Sequence, residues 1–271
     1  MILDDILEEK EREVDDLRRR GEALLLRRLE EAPPARSFRG ALAAGDHVSV
    51  IAEFKRRSPS AGDLAADADP VRVGEAYRRG GAAALSVLTD GPHFGGRLED
   101  LRAAREASGL PVLRKDFIID PLQVLESRGA GADAVLLIVR ALDRAGLGEL
   151  LEATRELGMD ALVEVHDREE LEAAVEAGAG VIGVNARDLS TFEIDLERCE
   201  ELVARVPGDR VAVAESGIGG PDDVARMGRA GADAVLVGST LMRRGPDEAL
   251  AALTGIEKRE RGDHPATADA R

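Results

Sequence analysis

Two stretches of this chain are nearly the same. Gly131-Ala132-Asp133-Ala134-Val135-Leu136-Leu137 recurs one hundred residues later as Gly231-Ala232-Asp233-Ala234-Val235-Leu236-Val237. Gly81-Ala82-Ala83-Ala84-Leu85 and Gly178-Ala179-Gly180-Val181-Ile182 are looser copies. In each, a Gly ends a helical stretch and small residues lead into an apolar run. Around them, short apolar runs alternate with helical segments. The spacing predicts strands at 48–54, 84–88, 111–115, 134–138, 161–165, 181–184, 211–214 and 234–237. Helices are predicted to start near Pro70, Leu98, Pro121, Asp143, Arg168, Leu196, Pro221 and Pro246. Strands separated by helices must pair in parallel through crossovers. The four copies precede the second, fourth, sixth and eighth strands, so a two-strand, two-helix unit repeats four times. Eight such units in about 205 residues fit a closed (β/α)8 TIM barrel. The competing fold is a doubly wound open sheet, because Gly-Ala before a strand is also ordinary loop chemistry.

The ends of the chain stand outside this repeat. Ile2 to Glu31 reads as one helix, with apolar residues at helical spacing between many charges. Ala32-Pro33-Pro34 stops it. It is expected to cover one end of the barrel and to carry no chemistry. After Leu253 the periodicity fades, and 256–271 is charged and poor in large apolar residues. The expected organisation is one barrel domain over 1–255, including the N-terminal helix 2–31, followed by a disordered tail.

Several function classes are disfavoured at once. A formal net charge of −16 argues against nucleic acid as a partner. No apolar run approaches a membrane span, and the acidic, amphipathic N-terminus does not read as a signal peptide. The single cysteine, Cys199, cannot form an internal disulfide and suits a reducing cytoplasm. Four histidines without ligand spacing argue against zinc. The basic residues are 33 Arg and four Lys, a bias expected of a GC-rich genome. Two of the lysines, Lys55 and Lys115, fall at strand ends. Lys, unlike Arg, can give up a proton when buried.

In a parallel barrel the chemistry sits at the C-terminal ends of the strands. Strand one ends in Glu53 and Lys55, two apart and therefore on one face. The loop Ser58-Pro59-Ser60-Ala61-Gly62 follows. Strand three ends in Lys115-Asp116-Phe117, and strand five carries Glu164 and then His166. Strand six runs into Asn185, Arg187 and Asp188; strand seven ends in Glu215-Ser216-Gly217 and strand eight in Gly238-Ser239. Each alone has a plain structural reading. His166 suits a capping or surface role, Asp116 and Asp188 suit loop-fixing pairs with Arg, and Cys199 suits a small buried residue on a helix. Their gathering at one rim is what points to a site. Ser216, Gly217, Gly238 and Ser239 follow strands seven and eight, the usual place for a phosphate in such barrels. The ligand is therefore expected to be a phosphorylated metabolite.

With these residues in view, the chain resembles the indole-3-glycerol-phosphate synthase family of tryptophan biosynthesis. The resemblance runs through Ile51-Ala52-Glu53-Phe54-Lys55 with Ser58-Pro59-Ser60, and through Ser86-Val87-Leu88-Thr89-Asp90 and Leu113-Arg114-Lys115-Asp116-Phe117-Ile118. It continues in Leu162-Val163-Glu164-Val165-His166, Gly183-Val184-Asn185-Ala186-Arg187-Asp188-Leu189, Ala214-Glu215-Ser216-Gly217-Ile218 and Val237-Gly238-Ser239-Thr240-Leu241-Met242. It covers roughly residues 1 to 253. It implies a carboxy-lyase that closes the ring of 1-(2-carboxyphenylamino)-1-deoxyribulose 5-phosphate with loss of carbon dioxide and water. No redox change occurs, so no cofactor is implied.

The resemblance also implies roles. Lys115 would be the general acid at the substrate carbonyl, with an amine poised near neutral pKa, and Glu164 the acid or base in dehydration. Glu53 would assist proton handling. Lys55 would balance these charges and could reach the phosphate, held by Ser216, Gly217, Gly238 and Ser239. Asn185 and Glu215 would orient the substrate, and Arg187 would help place Asn185. Ser58 would lie near the anthranilate carboxylate and Phe117 against its ring. Ala61, Ala186 and His93-Phe94-Gly95-Gly96 depart from the commoner family pattern. The loop from Phe54 to Leu64 is expected to close over the substrate. A monomer is expected, with a weak homodimer or a contact with another pathway enzyme as the alternatives. The rival readings are phosphoribosylanthranilate isomerase, which expects a Cys base where Glu53 and Lys55 stand, and a non-catalytic binder of phosphorylated metabolites.

Overall fold

The strands alternate between two apolar environments, and that alternation closes the sheet. A computed structural model of the chain describes residues 2–59, 62–188, 191–244, 246–259 and 261. The barrel strands are β1 Ser49–Phe54, β2 Ala84–Leu88, β3 Val112–Lys115, β4 Ala134–Ile138, β5 Asp160–Val165, β6 Val181–Asn185, β7 Val211–Glu215 and β8 Ala234–Val237. Each pairs in parallel with its neighbours, and β1 pairs with both β2 and β8, so the barrel is closed. Ile51, Leu113, Leu162 and Val213 belong to the cluster inside the barrel. Val50, Val112, Val163 and Ala212, each adjacent in the chain to one of these, pack outward against the helices. This is the (β/α)8 architecture, and the open sheet is excluded.

The repeat has a mechanical reading. Gly81, Gly131, Gly178 and Gly231 all sit in the left-handed region, at φ 91, 93, 82 and 101°. A side chain there would be strained, so Gly is what lets the chain leave each helix. The Asp of the two close copies then ties the next strand to its neighbour. Asp133 accepts from the Val112 amide at 2.9 Å and Asp233 from the Ala212 amide at 2.9 Å. Asp side chains also cap the helices that begin after Asp69, Asp120, Asp143, Asp167 and Asp195. Each such cap stabilises by about 1 kcal/mol.

The N-terminal segment differs from expectation. It forms two helices, α1 Ile2–Arg20 and α2 Glu22–Glu30, broken at Gly21, whose φ is 86°. A third, α3 Phe38–Ala43, plugs the lower mouth of the barrel with Phe38 and Leu42, both fully buried. The chain also stays attached after Leu253. The Ile256 carbonyl accepts from the Val48 amide at 2.7 Å, and the Lys258 and Arg259 amides bond to Asp46 and Gly228. The segment 256–259 therefore packs on the barrel instead of leaving it. Residues 262–271 of the expected tail lie outside the described residues. Among the described residues no helix is long and apolar enough to cross a membrane.

Candidate active site

The inward alternation of the odd strands places four ionisable side chains one step above an apolar layer. Two residues beyond Ile51, Leu113, Leu162 and Val213 come Glu53, Lys115, Glu164 and Glu215. Stacked layers of four from alternate strands are the packing pattern of these barrels, so the site is the topmost layer of the core. The three glutamates are at most 4 % exposed.

Lys115 is the centre of this layer. Its Nζ donates to Glu164 Oε2 at 2.9 Å and also to Glu215 Oε2. Glu164 Oε1 accepts from Asn185 Nδ2 at 3.1 Å. Asn185 Oδ1 in turn accepts from the Arg187 amide at 3.0 Å, and the Arg187 guanidinium donates to the Phe192 carbonyl at 2.8 Å. Lys55 pairs with Glu53 at 2.6 Å. Three carboxylates thus face two ammonium groups.

Burial alone would favour the neutral amine of Lys115. Glu164, Glu215 and Glu53 outweigh it and hold the ammonium charged, above the ordinary lysine range. The amine poised near neutrality that the sequence suggested is not what this arrangement gives. The two carboxylates on Lys115 diverge. Burial opposes ionisation of Glu164, but Lys115 and His166 overcome it and push its pKa down. Burial pushes Glu215 up, and Lys115 only partly offsets burial and the charges of Glu164 and Glu53. One layer therefore holds an ammonium, a firmly ionised carboxylate and a carboxyl that readily takes a proton.

Space around these groups is set by two glycines, Gly183 on β6 and Gly238 just past β8. A Cβ on Gly183 would lie 2.0 Å from Glu215 Oε1, and a Cβ on Gly238 would lie 2.2 Å from Glu53 Oε1. Neither position tolerates a side chain without moving a carboxylate.

All thirteen site residues singled out in the sequence line one cavity of about 360 Å³: Glu53, Lys55, Ser58, Lys115, Phe117, Glu164, Asn185, Arg187, Glu215, Ser216, Gly217, Gly238 and Ser239. Ser216, Gly217, Gly238 and Ser239 lie above β7 and β8, where Thr240 Oγ1 donates to the Ile218 carbonyl at 2.9 Å and ties the two loops together. Ser216 adopts φ 66° and Gly217 φ 77°. The left-handed Ser is costly, by about 1–3 kcal/mol, and such strain gathers at functional turns. Phe117 and Phe94 stand 6.4 Å apart between ring centres on the cavity wall. In the first loop Arg57–Ser58 pairs with Gly62–Asp63, and Arg56 grips Asp100 through both nitrogens. Ser60 and Ala61 of that loop, and Leu189 after β6, lie outside the described residues.

Sequence reasoning missed the contribution of α1. Leu3 and Ile6 line the cavity. Lys10, 1 % exposed, pairs with Glu13 at 2.9 Å, Asp90 at 3.0 Å and Asp116 at 2.9 Å. It is thus an interior lysine like Lys55 and Lys115. Asp116 also pairs with Arg114 at 3.1 Å and orients the Phe117 amide at 2.9 Å. The helix expected to lack chemistry is therefore fixed to the residue next to Lys115. A lysine among charges on an amphipathic helix gave no sign of this, because Asp90 and Asp116 lie eighty residues and more away. His166 is also corrected. It is 1 % exposed, not at the surface, with Nδ1 3.1 Å from Glu170. Asp188 holds the turn that follows, accepting from the Thr191 amide at 2.9 Å. Cys199 is buried, as expected, and burial pushes its thiol up to about 12.

Known proteins resemble this chain along most of its length. The family model described as indole-3-glycerol phosphate synthase matches residues 3–253. A protein of that name from Nocardioides sp. is 58 % identical over 77 % of this chain and 81 % of its own. One from Kineococcus radiotolerans is 48 % identical over 98 % of this chain and 97 % of its own. Among solved structures, a thiamine phosphate pyrophosphorylase from Pyrococcus furiosus superposes with a TM-score of 0.56 at 18 % identity, covering 80 % of this chain and 96 % of that one, a likeness of fold alone. The match over nearly the whole chain, and over every strand end that feeds the cavity, places this chain in the indole-3-glycerol phosphate synthase family.

Proposed function

We propose that the chain converts 1-(2-carboxyphenylamino)-1-deoxyribulose 5-phosphate to indole-3-glycerol phosphate, carbon dioxide and water. The observation that carries this reading is Lys115 bridging Glu164 and Glu215 at the floor of a cavity walled by aromatic rings. The aromatic carbon that bears the carboxylate attacks the ketone carbon. The carbonyl electron pair moves to oxygen, which takes a proton from Lys115. The ring then loses carbon dioxide, and the electrons of the broken bond restore aromaticity. The new hydroxyl leaves as water after taking a second proton, and a C–H proton is lost to close the indole double bond. Glu164 serves this dehydration as acid or base, with Glu53 assisting. Overall one proton is drawn from solvent, which returns Lys115 to its charged form.

In this reading Asn185 and Glu215 orient the substrate, and Arg187 places Asn185. Phe117 packs on the anthranilate ring and Ser58 lies near its carboxylate. Lys55 balances the carboxylates and reaches towards the phosphate, with Ser216, Gly217, Gly238 and Ser239 around its oxygens. In this reading the enzyme acts as a monomer, a reading that a cavity lined within one chain supports. The large apolar residues exposed among the described ones, Leu26, Val71 and Ile194, are scattered.

The test is incubation with the carboxyphenylamino substrate, following indole fluorescence and released carbon dioxide together. Equal amounts of both products support the reading. A folded protein that binds the substrate and forms neither overturns it in favour of a binder. Sedimentation at the mass of one chain checks the monomer.

A further inference from the structure

Behind Glu164 runs a line of polar groups that the reaction above does not use. His166 lies two residues beyond Glu164, past the end of β5, and is 1 % exposed. Its Nδ1 is 3.1 Å from Glu170 Oε2, on the helix Arg168–Glu176, and its own amide donates to that same oxygen at 2.7 Å. Glu170 Oε1 accepts from Arg140 Nε at 2.7 Å, in the turn after β4. The other ring nitrogen, Nε2, is buried, makes no hydrogen bond, and faces Glu164 Oε1 at 3.4 Å. The imidazole is therefore clamped on its outer side and aimed on its inner side at a carboxylate of the reacting layer.

The clamp decides what the ring can do. With Nδ1–H donated to Glu170, a neutral imidazole presents a lone pair to Glu164. That lone pair repels a carboxylate. An imidazolium instead presents N–H on both sides and favours Glu164 in its ionised form. The charge of His166 and the charge of Glu164 are thus linked.

We propose that His166 is a positioning residue for the reaction. Held by Glu170 and Arg140, it fixes the carboxylate of Glu164 and sets when that carboxylate carries a proton. The inference rests on the synthase reading for its consequence in turnover. The groups that face His166 are Glu164 on β5, Glu170 on the following helix and Arg140 from the β4 turn. Asp167 caps that helix and lies 3.4 Å from Arg140. Beyond Glu164 stand Lys115 and Asn185, on its two oxygens. Burial favours the neutral ring, but Glu170 and Glu164 outweigh it and raise the pKa of His166 above the ordinary histidine value. Loss of either carboxylate should let the ring deprotonate earlier.

The experiment follows the ring and the rate separately. The imidazole signals of the chain are titrated by NMR in wild type, Glu164→Gln and Glu170→Gln, with His166→Gln assigning the resonance. The midpoint of His166 should fall in both carboxylate variants, by about one pH unit or more in Glu164→Gln. An unchanged midpoint in Glu164→Gln overturns the proposal. Turnover is then measured against pH for wild type and His166→Gln. The wild-type kcat profile should carry a limb at the NMR midpoint, absent from His166→Gln, while KM stays within about twofold. Profiles of the same shape, differing only in height, overturn the proposal in favour of a purely structural role. If His166→Gln does not fold, Glu170→Gln stands in for it, and its limb should move with the lowered midpoint. A wild type that turns over no substrate fails the synthase reading, and the NMR arm still decides the coupling.

Discussion

The barrel buries ions at both ends, and the two clusters are built differently. At the lower end Arg105 forks onto Asp133, with Nε to Oδ2 at 3.0 Å and Nη2 to Oδ1 at 2.8 Å. Asp133 also accepts from the Arg36 amide at 2.8 Å and from the Val112 amide, and Arg105 Nη2 donates to the Pro34 carbonyl at 2.8 Å. Each carboxylate oxygen there has two donors. At the upper end Lys115, a point charge, is shared between two carboxylates, and Glu215 Oε1 is buried with no hydrogen-bond partner. A saturated, planar pair has nothing left to offer a ligand and serves the fold. An unsaturated cluster of mobile protons beside a cavity is destabilising in isolation, and its use is chemistry.

That contrast can be broken in order of expected effect. Lys115→Ala removes the shared ammonium and should lower kcat by about 10³-fold, within the range of general acid catalysis, as read from indole fluorescence. Arg105→Ala leaves Asp133 buried and unpaired. Urea unfolding should show a loss of about 3–5 kcal/mol. Gly183→Ala drives a methyl into Glu215 Oε1 and should displace that carboxylate. A shift of this kind costs about 10² in kcat, with near-native circular dichroism. The smallest effect is a pH dependence of stability. The pKa of Glu215 is raised from 4.5 to about 7. The native state then holds a proton that the unfolded chain releases, so Glu215 becomes increasingly unfavourable as pH rises through that window. Glu215→Gln should gain on wild type between pH 5 and pH 7, by at most about 1.4 kcal/mol per unit, and urea midpoints across pH measure it.

The difference between the clusters also explains what could be read from the sequence. The fold was legible because its signals are local: a period of two in the strands, Gly and Asp at fixed offsets in the repeat, and Asp-Pro at helix starts. Glu53, Lys115, Glu164 and Glu215 were legible because an ionisable residue at an inward strand end breaks that period. What depends on distant partners was not. Lys10 and Ile6 reach the rim only after α1 has docked. His166 looked like a helix cap because Asp167 follows it and a helix opens there; its ring meets Arg140's partner Glu170 and Glu164 only once β5 and that helix are packed. The charge state of Lys115 follows from three glutamates on three other strands, and no spacing along the chain encodes their distances. The attachment of 256–259 rests on backbone bonds, which side-chain composition does not report.

The most direct test sets the two clusters against each other in one assay. Turnover per folded molecule is measured for Lys115→Ala and Arg105→Ala at a temperature where both are folded, beside wild type. The account predicts that Arg105→Ala keeps kcat within about threefold of wild type, while Lys115→Ala loses about 10³-fold. Equal losses of turnover in the two variants, or a Lys115→Ala protein as active as wild type, would contradict it.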